Sequence, residues 1–349
     1  MTRTWTVVTA CLIALSVLSA ARAQQQAVPN QEFVAFLTSR FRLDERQMAA
    51  VKQGQPVVAP LAEAVPREVV MGGVVRIDAP PERTVALVRN IERLESGTGF
   101  LHTKRLSDPP RLDDFAALTV STEDLAALRA CKPGHCDVKL GGAAFDTLRT
   151  IDWRRPDANA QVQQLARRSA LEYVEAYRHG GNQELAIYRD AERPLFIAQE
   201  FADMVKRTSM LPESVPDVAD LLLTHPPAPK PASAEEFYYW SEADFGLKPV
   251  IRINHVVIQQ PSVSHLVPYV IATKQLYANH YFHTGLEIRA LVADAERPGR
   301  SHYLVVLNMA RSDGLTGVFG GVVKSKVRAA SRTAMESALR STKRLAEGR

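Results

Sequence analysis

From Val250 to Met309 apolar and polar residues alternate in four successive runs, Val250–Ile258, Leu266–Leu276, Leu286–Val292 and Tyr303–Met309. A helical stretch from Leu315 to Glu347 then closes the chain. Period-two alternation is the mark of half-buried strands, because successive side chains point to opposite faces. Glu296-Arg-Pro-Gly-Arg300 separates the last two runs with turn chemistry. An antiparallel meander followed by a long helix is therefore expected over 234–349.

The earlier chain reads differently. Residues 24–66 form an N-terminal helical arm, with helices over Gln31–Leu37 and Asp44–Val51 and Asp44 as N-cap. Arg67–Ile77 predicts a strand and Thr84–Leu94 a helix, which together make up 67–104. Pro80 and Pro81 suit its first turn, and Val85, Val88 and Ile91 share a face. Residues 105–225 are α-rich, with helices expected over Thr122–Ala130, Ala143–Trp153, Ala160–His179, Pro194–Thr208 and Val215–Leu223. A short strand is expected over Glu184–Tyr188. Pro226, Pro227, Pro229 and Pro231 make 226–233 an extended linker.

Residues 1–23 have the layout of a secretory signal peptide: Arg3, an apolar run from Val7 to Ala20, and Ala21-Arg22-Ala23 before the cleavage point. The expected location is the periplasm or the exterior. Arg3 and Arg22 carry two of the formal net charge of +5, so the processed chain is too mildly basic to indicate nucleic acid. An apolar content of 46% supports a substantial core. Past the leader only Cys131 and Cys136 remain, around the turn pair Pro133-Gly134. A local disulfide is the natural reading in an oxidising space. A redox-active pair is the alternative, although thioredoxin-like motifs use a two-residue spacing. Haem attachment lacks its histidine, because Asp137 follows Cys136.

Strand, Val74-Val-Arg-Ile-Asp-Ala-Pro-Pro-Glu82, helix, and then Lys248 to Glu347 make an order that resembles the helix-grip superfamily of START and birch-pollen-allergen-like domains, also called SRPBCC. The resemblance implies an α+β fold: an antiparallel sheet curled around the long C-terminal helix, with 105–233 as a large, mainly α-rich insertion. It also implies an apolar cavity between sheet and helix that holds lipids, sterols or other greasy molecules. The segment from Cys131 to Leu140 is similar to one in secreted bacterial proteins of unassigned function.

Candidate site residues follow from reading the strands face by face. The even positions of Leu266–Phe282 are apolar except Lys274 and His280, if the strand runs unbulged. Ile251, Ile253, His255 and Val257 make a similar face, and Asn308 interrupts the last strand. Buried polar groups need partners, which a polar-headed ligand, backbone, water or a nearby acid can supply. Tyr239 and Trp240, in the aromatic cluster Phe237–Trp240, fit either a core or a pocket rim. His280, His283 and Glu287 do not read as a metal site, because on one strand the two histidines face opposite ways. No metal, cofactor or catalytic residue is expected, and no nucleophile elbow, P-loop or H-E-x-x-H occurs. The reading is an exported, non-catalytic protein that binds or carries a hydrophobic or lipid-like ligand. One alternative is a cavity-based hydrolase or lyase using Lys274 and His280. Another is an envelope interaction protein acting through the α-rich insert and the basic C-terminal helix, which could touch an anionic membrane surface.

Overall fold

The computed structural model describes residues 31–97, 99–208, 216–226, 234–244, 246–261, 266–317 and 320–349. The predicted leader, Phe319 and linker residues 227–233 lie outside them.

The meander is present: β7 (Val250–Gln259), β9 (Phe282–Ala293) and β10 (His302–Ser312) run longer than their alternation shows, while β8 (Tyr269–Ala278) starts three residues after its expected Leu266 and ends two after Leu276. Four strands join it. β2 (Glu68–Ile77) pairs with β10, and β1 (Val57–Pro60) pairs with β2. On the other side β6 (Ala234–Ala243) pairs with β7, and β3 (Phe100–Arg105) pairs with β6. The result is one eight-stranded antiparallel sheet in the order β1-β2-β10-β9-β8-β7-β6-β3. Strands β1, β3 and β6 are additions to the sequence reading. The Phe237–Trp240 cluster sits in the middle of β6.

Helices cover both faces. Near the N-terminus α1 (31–39) is followed by α2 (Glu45–Lys52), where Asp44 and Gln47 form a reciprocal capping box. The predicted Thr84–Leu94 helix is two helices, α3 (Pro81–Arg89) and α4 (Ile91–Leu94). They break at Asn90, whose side chain caps the second. Within the insert lie α5 (Thr122–Ala130), α6 (Gly142–Leu148), α7 (Ala158–Gly180), α8 (Ile197–Arg207) and α9 (Pro216–Leu223). The α6 helix stops short of its predicted end. The Glu184–Tyr188 strand reduces to β4 (Ile187–Tyr188), paired with β5 (Leu195–Phe196).

The insert leaves the sheet after β3 and returns at β6, which are antiparallel neighbours. It therefore occupies the position of a hairpin loop, where extra chain need not disturb the strand order. It packs on the face away from the C-terminal helix: Phe201, Met204, Val218 and Leu222 cover Val270, Leu286 and Met309, while Val174 and Tyr177 cover Tyr238, Trp240 and Ile253. Arg311 of β10, fully enclosed, binds Glu68, Glu200 and Asp203 and so ties α8 to the sheet.

The closing helix, α10 (Gly320–Ala346), packs against β1, β2 and α3. Its buried face is Met335, Leu339, Thr342 and Ala346, a recurring three- and four-residue spacing. The sequence reads Phe319, Val322, Val323, Val327, Ala330, Ala334, Ala338 and Leu345 as one apolar stripe; of these Val327 and Leu345 pack partly against the core, while Val322 and Val323 are exposed, at 61% and 37%. Lys324 donates to the Pro66 carbonyl (2.6 Å), Arg328 pairs with Glu63 (2.7 Å) and Lys343 donates to the Arg76 carbonyl (2.8 Å). The helix thus runs along the β1–β2 edge. The fold is α+β and helix-grip-like, with the grip helix set to one side.

Candidate functional site

Which face a residue occupies follows from register. A Cβ on Gly73 would meet Met335 of α10, and Gly73 pairs with Val306, which pairs with Arg289. One cross-strand row on the face toward α10 therefore reads Asn308, Glu287, Thr273, Val256, Phe237, and the next reads Ala310, Gly285, Gln275, Asn254, Tyr239. Thr273, Glu287 and Asn308 lie on three central strands, yet solvent reaches each of them in part. A central strand position keeps such exposure only where nothing is packed over it. This face is therefore partly open to solvent at Thr273, Glu287 and Asn308, and polar side chains line it there.

On this face the Asn254 and Gln275 side-chain nitrogens are buried without an acceptor among the described residues. Arg289 pairs with Glu287 at 2.6 Å. At one end Tyr239 donates to Glu95 (2.9 Å), with Arg252 3.8 Å away. Burial raises the Glu95 carboxyl above its usual range, and Arg252 opposes that rise. Phe237 and Val256 continue the first row as apolar residues, Ile258, Ile271 and Val306 lie in the row beside it, and Tyr269 and Val327 are partly buried against the same cluster.

The predicted site residues divide between places. Tyr239 and Asn308 are on the face toward α10. His255, Lys274 and Trp240 are on the other face, under the insert, so the expectation that they line a space beneath α10 does not hold. The Trp240 indole donates to the Asp114 carbonyl at 2.9 Å. Lys274 donates to Tyr177 (3.2 Å) and Asn182 and is walled in, 4.0 Å from the Phe201 ring centroid. Desolvation pulls its amine well below the ordinary lysine range.

His280 belongs to neither group. The strand is not unbulged: Ile253 pairs with Tyr277 but Asn254 with Gln275, so Leu276 is the extra residue. After Ala278 the chain turns, with Tyr281 at φ 57°. His280 therefore meets Asp124 (3.0 Å) and the Asp137 carbonyl (3.1 Å), docking the hairpin on the segment around the Cys131–Cys136 disulfide. Among the described residues Lys274 and His280 have no hydrogen-bond partner in common. His283, on β9, binds Asp313, which also pairs with Lys139. Burial works to raise the Asp313 carboxyl, but His283 and Lys139 hold it down at about 2.

A depression of about 470 Å³ opens beside α3, α4 and β3, lined by Arg89, Lys104, Arg105, Glu92 and Asp114. Its charges are largely matched: Arg89 pairs with Glu235 and Lys104 with Glu92.

An eight-stranded antiparallel sheet with a long closing helix defines an α+β protein with a helix-grip-like arrangement. No family model matches the chain and no curated protein does. Among solved structures, human STARD10 is similar at TM-score 0.33 and 8% identity, over 86% of this chain and 80% of its own. Ara h 8.0201 is similar at TM-score 0.20 and 8% identity, over 34% of this chain and 75% of its own.

Proposed function

We propose that the protein is exported and binds or carries, without catalysis, a hydrophobic or lipid-like molecule on the sheet face toward α10. The ligand's polar end is an acceptor taken by Asn254 and Gln275, and its apolar part lies along Tyr269 and Val327. The observation that carries this reading is the pair of buried, unpartnered amide nitrogens on a face that solvent still reaches. An unmet buried donor costs about 1–3 kcal/mol, so a ligand oxygen that meets it binds with that much advantage. The disulfide supports an oxidising compartment. Exposed Val322 and Val323, with Lys326 one turn on, give α10 a surface suited to an anionic membrane from which a carrier loads.

The test combines two measurements on the mature chain. Organic extraction followed by mass spectrometry is expected to yield one lipid-like species per chain. A Thr273→Trp variant, obstructing that face, is expected to lose both that species and displacement of an apolar fluorescent dye while staying folded. An empty extract together with dye binding indifferent to Thr273→Trp overturns the proposal.

A further inference from the structure

On the opposite face, His225, Glu236 and His255 come together from the segment after α9, from β6 and from β7. One ligand atom of each lies within 4.8 Å of the others. We propose that this triad binds one divalent transition metal of the zinc class.

The donor set is the first reason. Two imidazole nitrogens and a carboxylate suit Zn²⁺, whereas Mg²⁺ and Ca²⁺ take oxygen ligands. Pre-organisation is the second. The Tyr177 ring stacks on His225 (centroids 4.9 Å apart, 16° between planes), and Tyr238 stacks on His255 (4.6 Å, 14°). Held by their faces, both imidazoles offer only their edges. His255 Nδ1 is 3.3 Å from the Tyr177 hydroxyl, while Nε2 faces Glu236 at 3.1 Å. The outer nitrogen thus has the kind of partner that fixes a metal-bound histidine's tautomer.

The backbone at His225 is fixed as well. Gly181 has φ +66°, and a Cβ there would sit 1.9 Å from the His225 carbonyl oxygen, so only glycine permits this approach. Asn182 then donates its backbone N–H to that oxygen (3.2 Å) and its amide to the Leu222 and Leu223 carbonyls. Lys274, the cross-strand neighbour of His255, has its amine engaged by Asn182 and Tyr177 outside the triad.

Bonds of about 2.1 Å in a tetrahedron place donor atoms roughly 3.4 Å apart, so the triad closes slightly on binding. Glu236 is the arm that moves, because His225 and His255 are buried and its own side chain is 26% exposed. That exposure is also the entry path. Three protein ligands leave a fourth position for water or an incoming donor atom.

The untagged mature chain, stripped with EDTA, is titrated calorimetrically with Zn²⁺, and Co²⁺ is used as a spectroscopic probe. One Zn²⁺ per chain, a Zn²⁺-dependent rise in melting temperature and the visible bands of four-coordinate Co²⁺ are expected. Glu236→Gln and His225→Gln each weaken Zn²⁺ binding at least roughly tenfold, and His179→Gln, at an exposed histidine, leaves it unchanged. Circular dichroism confirms that each variant is folded. Should a triad variant unfold, the wild-type melting shift and Co²⁺ spectrum decide. No uptake by the wild type, or uptake indifferent to both triad substitutions, overturns the assignment.

Discussion

Asn254 on β7 and Gln275 on β8 are direct cross-strand partners, and neither side-chain nitrogen has an acceptor among the described residues. Stability and binding therefore pull in opposite directions at this pair. Gln275→Met keeps the volume and removes a buried donor, so it is expected to leave the unfolding free energy unchanged or to raise it, by up to ~1–2 kcal/mol. The same change takes a hydrogen bond from the ligand and should weaken binding about 5–10-fold. Chemical denaturation and dye displacement on one preparation check both. A clear loss of stability would show that the amide already has a partner.

Arg311 shows the reverse logic. Its guanidinium is fully enclosed and meets Glu68 of β2 as well as Glu200 and Asp203 of α8. Removing one member of a buried charge network leaves the others uncompensated, at a cost of about 3–5 kcal/mol. Arg311→Met is expected to fall in that range by urea unfolding. Arg311→Lys should fall between, since an ammonium restores the charge but not the fork that reaches three carboxylates.

Gly73 sets how closely α10 approaches the sheet. A Cβ there would lie 2.7 Å from Met335 Sδ and 2.9 Å from a Leu339 methyl. Overpacking of this kind costs ~1–3 kcal/mol. Gly73→Ala is expected to destabilise by that order, and Met335→Ala, which vacates the space, should return part of the loss in the double variant. Strictly additive effects in that cycle would mean the helix seats elsewhere.

The degree to which this structure is legible in the sequence depends on burial. Strands β7 to β10 stand out because their runs alternate and turn residues bound them. β6 does not, since Phe237 and Tyr239 lie under α3 and α4 while Tyr238 and Trp240 lie under the insert. A strand buried on both faces loses its alternation and reads as an aromatic cluster. Strand β3, Phe100-Leu-His-Thr-Lys-Arg105, is an edge strand with little apolar pattern. Polar residues at inward positions were visible, but period two cannot say which layer covers which face. His255 and Lys274 thus separate from Asn308, and the bulge at Leu276 removes His280 from the strand's register. Asn254 and Gln275 carried no signal beyond ordinary polar residues on a strand. The triad of His225, Glu236 and His255 has no spacing to recognise, because only the return of the insert to β6 brings it together.

His302 gives a pH dependence of known sign. It is fully buried on β10, donates Nδ1–H to the Ala79 carbonyl (2.8 Å) and accepts from the Thr84 hydroxyl through Nε2 (3.0 Å). Desolvation lowers its proton affinity from the ordinary 6.5, outweighing the bond to Ala79. A base whose folded pKa is depressed contributes its full stability above the unfolded value and loses it as pH falls toward the folded value. The contribution of His302 is therefore expected to be level above pH ~6.5 and to decline on acidification below it. In His302→Gln, which is neutral at every pH, the decline just below pH 6.5 should shrink. The unfolding free energy at neutral pH should drop by the order of one lost hydrogen bond, ~1 kcal/mol. Asp313 acts in a separate window: held at about 2, it gives up its contribution only below its unfolded value of 3.8. Glu95, raised by burial, and Lys274, lowered by it, add slopes of their own. The histidine is therefore read from the difference between wild type and His302→Gln between pH ~4.5 and ~8, and an unchanged slope in the variant would assign the acid sensitivity to another group.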